Sequence, residues 1–102
     1  MPAIHLIERL GNVHRVDKDT NEWESGYWAI SEETAEKLQG GHIYLHQGQN
    51  EPSHFGGEVL SFHVYQSEPY VGRIVFRFRA AAEFRGVKTE RAGWSNEKKI
   101  VW

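Results

Sequence analysis

The sequence predicts an α+β protein that is mainly β, built as a small curled antiparallel or mixed sheet, or as a small β-barrel, with one short helix. The strongest observation is the run from 73 to 79, where apolar and basic side chains alternate with the period of two typical of a strand. A second is a pair of β-branched and aromatic runs, each opened by a Gly-Gly pair and separated by a polar loop. The third is a set of helix start and stop signals between Ser31 and Gly41. Mostly short strands with one helix favour a compact sheet that carries the helix at one side.

Length and composition limit the number of domains and the kinds of site that the chain can form. The 102 residues predict one domain, 1–102, which is long enough to bury roughly 60–65% of its unfolded surface. The absence of cysteine excludes disulfides, zinc–thiolate sites and a cysteine nucleophile. Because the N-terminal residues also lack an apolar stretch, we expect a cytoplasmic protein with no membrane association.

The first third of the chain predicts one strand, a loop and a helix. Ala3 to Glu8 is interpreted as a strand buried on most of both faces, and Val13 to Ser25 as an acidic loop, with a short strand at Asn12 to Val16 as the alternative. Tyr27 to Ile30 is a short apolar strand. Ser31 is then a candidate N-cap for a helix from Glu32 to Gln39, because its hydroxyl can accept a bond from an orphan backbone N–H.

The rest of the chain predicts strands and an irregular tail. His42 to Gln47 and Gly56 to Val64 are the two Gly-Gly strands, and Gly48 to Phe55 is the polar loop between them. In the alternating strand, Ile74, Phe76 and Phe78 share one face, while the basic side chains of Arg73, Arg77 and Arg79 share the other. Residues 67–69 predict a turn, and residues 100–102 either a closing strand or a docked tail.

The small net charge of −2 conceals an uneven distribution. Residues 1–70 hold 4 basic and 11 acidic side chains, whereas residues 71–102 hold 8 basic and 3 acidic ones. This asymmetry produces either a basic face or two parts of the chain that attract each other across the fold.

The histidines do not predict a metal site. His42 and His46 are four residues apart in a predicted strand, where that spacing covers about 13 Å, too far for two ligands bound at about 2 Å from one zinc ion. His63, on the following strand, is the alternative partner across the sheet. No P-loop or dinucleotide fingerprint is present, so we expect no metal and no cofactor.

Catalytic residues are not predicted either. The sequence has no Gly-x-Ser-x-Gly nucleophile elbow. His46 and His54 are interpreted as polar groups of the loop, with a general base in a hydrolase as the alternative.

Polar segments flanked by glycine contain three aromatic residues: Trp23, Phe55 and Trp94. Burial in the core is less expected for them than for the aromatic residues of the apolar runs. Such side chains stack on nucleobases in many binding proteins, and they also cover the open ends of small barrels. Both interpretations stay open for them.

Three stretches resemble the PUA-like group of small β-barrels, which includes the ASCH and EVE domains. Gly26 to Ser31 resembles the Tyr-Trp strand and turn of EVE domains, Leu38 to Gln47 their glycine-led strand ending in Tyr-His-Ser, and Gly56 to Val64 the strand that follows. Together they cover about a third of the chain. Gly41 replaces the usual aspartate, the interval between the first two elements is shorter than in EVE domains, and Ala3 to Glu8 precedes the point where the family usually starts.

The resemblance implies a PUA-like fold that binds single-stranded nucleic acid or a modified base in an aromatic pocket. It would place Trp28 and His46 in the pocket, with Ser31 and Gln47 as polar readers. From the residues themselves we add the loop and aromatic candidates Trp23, Ser53, His54 and Phe55, and we predict phosphate contacts for Arg73, Arg77 and Arg79 from their charge. The alternatives are a module for a nucleotide-like small molecule or for a protein, including a homodimer through the arginine-bearing strand.

Overall fold

A computed structural model describes all residues from Met1 to Trp102 and contains one mixed sheet with one α-helix. The elements are, in chain order, β1 (Ala3–Ile7), β2 (Val13–Asp17), β3 (Glu22–Trp28), α1 (Glu32–Leu38), β4 (His42–His46), β5 (Ser53–Val64), β6 (Ile74–Ala80), a 3₁₀ turn (Ala82–Phe84) and β7 (Lys98–Val101). The strand order is β2-β3-β6-β5-β4-β1-β7. Only β1 and β4 run parallel; the other pairs are antiparallel. The predicted mainly-β α+β class with a mixed sheet is confirmed.

The sheet is strongly curled but not closed into a barrel. Leu6 of β1 and Trp28 of β3 line the same cavity, although three strands separate β1 from β3 in the sheet. β2 and β7 remain as free edges. By contrast, β6 lies between β3 and β5, so both edges of the arginine-bearing strand are already paired.

The core lies inside the curl. Ile74, Phe76 and Phe78 are fully buried there, which confirms the predicted apolar face of β6. They pack with Ala80 at the end of β6 and with buried residues of the other strands and of α1: Ile4, Leu6, Trp28, Ala35, Leu38, Ile43, Leu45 and Val59.

Local signals define the helix as predicted, one residue shorter at its end. The Ser31 side chain caps it by accepting a 3.1 Å bond from the Thr34 backbone N–H. Gly40 adopts φ +82°, a conformation that favours glycine, and the Gly41 N–H bonds to the Leu38 carbonyl, which ends the helix. No helix of the chain has the length and hydropathy that crossing a membrane requires.

The predicted loop from Val13 to Ser25 is wrong. The alternative for its start, a short strand at Asn12 to Val16, agrees with β2. Residues 22–25 form the first half of β3 and pair with β6, Glu24 opposite Arg77 and Glu22 opposite Arg79. The Arg77 guanidinium lies 2.7 Å from the Glu22 carboxylate, and Arg79 lies 3.8 Å from it. The acidic stretch is therefore a strand because basic side chains of its neighbour face it, and the two oppositely charged parts of the chain do attract each other.

The predicted loop from Gly48 to Phe55 is also too long. Its last three residues, 53–55, belong to β5, which runs through the Gly56-Gly57 pair. A Cβ at Gly56 would lie 2.2 Å from the Ile43 carbonyl oxygen, and one at Gly57 would lie 2.0 Å from that of Arg79. These glycines let β4 and β6 approach β5 closely. They therefore lie inside β5 and, contrary to the prediction, do not mark its first residues.

The C-terminal residues cover the outer face of β1 and β4. β7 pairs with β1, so the last residues form a closing strand and not a docked tail. The segment before it, 85–97, is called the C-terminal strap. Ser53 anchors its start through hydrogen bonds with Gly86 and Val87, and the Ile7 N–H bonds to the Glu97 carbonyl at its end.

Candidate functional site

The largest recess lies where the curled sheet fails to close, around Trp28. It consists of two adjoining cavities of about 310 and 520 Å³ that share Trp28, Arg73 and Glu97 as lining residues. β1, β3 and the segments that lead into β6 and β7 supply the walls. We call this recess the Trp28 groove. The remaining lining residues are Leu6, Ile7, Glu8, Arg9, Leu10, Asn12, Gly26, Tyr27, Ala29, Ile30, Tyr70, Ser95, Asn96 and Lys98.

Aromatic rings form one side of this groove. The rings of Tyr27 and Tyr70 are stacked, with centroids 4.5 Å apart and an interplanar angle of 7°. The Tyr65 ring also lies 4.5 Å from Tyr27, tilted by 51°, and a hydrogen bond with Tyr65 is the largest cause that raises the Tyr27 pKa above its ordinary value. The Trp28 indole N–H donates to the Ser25 hydroxyl at 3.0 Å, which fixes the ring orientation. The sequence predicted Trp28, but Tyr70 comes from the loop before β6 and carried no local signal.

The charged walls of the Trp28 groove hold both signs. Arg9 and Arg73 are exposed, and each donates one bond to a backbone carbonyl, Arg9 to Gln47 at 2.6 Å and Arg73 to Tyr27 at 3.4 Å. The Glu8 carboxylate accepts from the Gly11 N–H at 2.7 Å. Glu97 adds a second carboxylate between the two cavities. The groove can therefore offer guanidinium donors to an anionic group beside an aromatic stack.

His46 does not lie in this groove. Its ring is fully buried on the outer face of β4, where Nδ1 is 2.8 Å from the Glu51 carbonyl and Nε2 is 2.9 Å from Nδ1 of His5. Burial lowers the pKa of His5 to about 4, with His46 and Lys99 as further causes. Burial also lowers the pKa of His46. Both rings are thus held neutral at neutral pH.

His5 was missed by the sequence reasoning. It meets His46 because β1 and β4 pair in parallel, with His5 opposite Tyr44 and Ile7 opposite His46. The His5 ring stacks on Tyr44 at 4.8 Å, and Trp94 packs edge-on against both histidines, 5.6 Å from His46. Nothing in the sequence indicates a parallel pair between these two strands.

The predicted strand spacing of His42 and His46 is confirmed, and the cross-strand alternative with His63 is wrong. On β5, Glu58 lies opposite His42 and Ser53 opposite His46. His63 pairs with Val75 on β6 instead.

Two further candidates stabilise the fold through hydrogen bonds. Ser31 is the N-cap of α1. The Ser53 hydroxyl is buried, donating to the Phe84 carbonyl at 2.6 Å and accepting from the Val87 N–H at 2.9 Å. Gln47 lies beside the Trp28 groove and contributes the carbonyl that Arg9 contacts.

Trp23, His54 and Phe55 come together at a different place. With Val13 and Arg85 they line an open depression of about 280 Å³ that shares no lining residue with the Trp28 groove. The Trp23 and Phe55 rings meet edge to face at 4.8 Å, and the Arg85 guanidinium lies 5.2 Å from the Phe55 ring. Phe55 also packs against the core at Phe78. The aromatic candidates therefore divide between two sites on the molecule.

The three arginines divide in the same way. Arg73 lines the Trp28 groove. Arg77 and Arg79 bind the Glu22 carboxylate, and Arg79 also lies 3.9 Å from Glu58. Only Arg73 combines exposure with a position beside the aromatic stack.

Comparison with known proteins gives no match: no family model, no curated protein and no solved structure is similar to this chain. The resemblance to PUA-like domains therefore stays a prediction. The function has to be argued from the Trp28 groove.

Proposed function

We propose that this protein is a non-catalytic binding module that holds a nucleobase, within a single-stranded nucleic acid or as a modified base, in the Trp28 groove. The observation that supports this is the Tyr27–Tyr70 stack next to Trp28 with Arg73 on the same rim. A base stacks on such rings through its π face, and a guanidinium binds the phosphate that accompanies it.

The dimensions and polarity of the groove agree with this ligand. Its two cavities, of about 310 and 520 Å³, fall in the range of small-ligand pockets. Arg9 and Arg73 would carry the charge recognition, while Arg77 and Arg79 are neutralised by carboxylates.

The position of His46 supports a binding role over a hydrolase that would use His46 as its general base. Its two ring nitrogens are both in hydrogen bonds with the protein, and its ring is fully buried. A general base has to reach the proton it abstracts, directly or through one water.

The test is a binding titration with single-stranded RNA and DNA oligonucleotides, including ones with modified bases, at low salt. We expect Tyr70→Ala to weaken binding roughly 5- to 150-fold, since a base–aromatic stack contributes about 1–3 kcal/mol. Arg73→Gln should weaken binding and reduce the salt slope by about one. Arg79→Gln is the matched control, because Arg79 does not line the groove and is ion-paired. Absence of saturable binding to every oligonucleotide would refute the proposal.

A small uncharged ligand is the second candidate, favoured by the mixed charge of the walls. Glu8 and Glu97 lie among the lining residues beside Arg9 and Arg73, and carboxylates repel a polyanion. Such a ligand would bind almost independently of ionic strength. Binding of nucleosides that Tyr70→Ala weakens, with no gain for longer oligonucleotides and no salt slope, would decide for this candidate.

A further inference from the structure

The tautomers of the buried His5–His46 pair follow from its hydrogen bonds. The Glu51 carbonyl can only accept, so Nδ1 of His46 carries the proton that it donates. In a neutral ring this leaves Nε2 of His46 as an acceptor, and Nδ1 of His5, 2.9 Å away, must then be the donor. The arrangement is satisfied only while His46 is neutral.

An added proton has no favourable place in this pair. On Nε2 of His46 it would set two N–H groups against each other at 2.9 Å, unless the His5 proton moves from Nδ1 to Nε2, which leaves a buried cation on His46. On Nε2 of His5 it would create a buried cation. The charged groups acting on the two rings are all basic: His46 and Lys99 act on His5, and His54 acts on His46. The remaining polar neighbours are the Tyr44 ring, stacked on His5, and the Glu51 carbonyl.

Trp94 connects the histidine pair to the C-terminal strap. Its ring packs edge-on against both imidazoles, and its indole N–H is buried without an acceptor. Between residues 88 and 94 the strap makes one hydrogen bond to the rest of the fold, from the Lys99 ammonium to the Glu90 carbonyl. The middle of the strap is therefore held mainly by the contact of Trp94 with the histidines.

The residues that directly follow Trp94 form one wall of the Trp28 groove. Ser95, Asn96, Glu97 and Lys98 line its larger cavity, and Glu97 also lines the smaller one. Ser95 follows Trp94 directly, so a displacement of Trp94 acts first on this wall. The wall itself is held by hydrogen bonds from Gln49 to the Asn96 carbonyl and from Ile7 to the Glu97 carbonyl.

We propose that the His5–His46 pair is a proton-sensitive latch: protonation unseats Trp94 and displaces the wall of the Trp28 groove formed by residues 95–98. The latch is closed at neutral pH and opens as the pH falls below the ordinary histidine range. It does not depend on which ligand the groove binds, because it acts through the wall itself.

The test uses solvent exchange of indole N–H groups in the ligand-free protein, followed by NMR. Trp28 is an internal reference, since its indole N–H is bonded to Ser25 and its ring lies in the core. Exchange itself slows in acid, so the measured quantity is the ratio of the Trp94 rate to the Trp28 rate. Between about pH 7 and about pH 4.5, we expect this ratio to rise at least about tenfold. The amides of residues 95–98 should shift with the same midpoint. A constant ratio of the two rates, or residues 95–98 that do not shift with Trp94, would overturn the proposal.

A substitution separates the pair from other acid effects. His5→Asn keeps an N–H donor near the position of Nδ1 and leaves His46 as the one titrating member of the pair, so the rise of the Trp94-to-Trp28 ratio should become smaller. His63→Asn, at an exposed position on β5, should leave it unchanged. If His5→Asn fails to fold, the ring protons of His5 and His46 in the unmodified protein provide the second measurement. Their titration midpoint has to coincide with that of Trp94, and a different midpoint contradicts the latch.

Discussion

Acid is expected to destabilise the fold through His5. Its pKa is 6.5 in its ordinary state and about 4 in the folded protein, with burial as the largest cause and the neighbouring His46 and Lys99 as the others. The folded value is the lower one, so the unfolded chain binds more protons between these two pH values. The stability contributed by neutral His5 is therefore complete above pH 6.5 and is lost as the pH falls towards 4.

The size of this effect follows from the same two values. Each pKa unit of difference between the folded and unfolded chain corresponds to about 1.4 kcal/mol, so His5 alone should remove about 3 kcal/mol from the free energy of unfolding by pH 4. His46 adds a loss of the same sign, because burial lowers its pKa too. This is a large part of the 5–15 kcal/mol that is typical of single domains.

The assay is urea unfolding at a series of pH values, with the slope of the free energy of unfolding against pH as the measured quantity. In the unmodified protein the slope should be positive between about pH 4 and 6.5, and His5→Asn should reduce it to the part contributed by His46 and the other titrating groups. His63→Asn should leave the slope as it is, because that histidine is exposed. Equal slopes for the unmodified protein and His5→Asn would refute the reasoning.

Three further predictions concern the fold and are measured by chemical denaturation. Gly57→Ala should lower the free energy of unfolding by more than about 2 kcal/mol, because its Cβ would lie 2.0 Å from the Arg79 carbonyl oxygen. Gly48→Ala is the control and should be nearly neutral, because its Cβ would have nothing closer than 3.5 Å. Equal effects of the two substitutions would contradict the close approach of β6 to Gly57. Ser31→Ala should cost about 1 kcal/mol through loss of the N-cap bond, and Ser31→Asp should retain most of the stability. Phe76→Ala should cost about 3–5 kcal/mol because the ring is fully buried, and a loss under about 1 kcal/mol would argue against its core position.

The elements predicted correctly are those that local chemistry determines. The β6 alternation reports which face is buried, and the structure buries Ile74 and Phe76 as expected. The helix start follows from the Ser31 hydroxyl, which acts on the backbone three residues ahead. Such signals lie within a few residues of the structure they specify, so one sequence is sufficient to read them.

The wrong predictions concern segments whose conformation depends on a strand far away in the sequence. Residues 22–25 are acidic and were predicted as a loop, but the basic side chains of Arg77 and Arg79, more than fifty positions later, make a strand favourable there. The parallel pairing of β1 with β4 is equally non-local, and it alone brings His5 to His46. No periodicity within either segment contains this information.

The same distinction explains the position of the candidate site. Trp28 was predicted because the Tyr-Trp run is visible in the chain, whereas the pocket around it depends on how the sheet fails to close. In a closed barrel, backbone ladders would join the strands at the ends of the sheet. Here side chains bridge the gap, as where the Lys98 ammonium donates to the Ala29 carbonyl. Bridges made by single side chains leave space between them, and the Trp28 groove occupies that space. This is why the candidate site lies at the seam of the curled sheet rather than at the polar loop between β4 and β5.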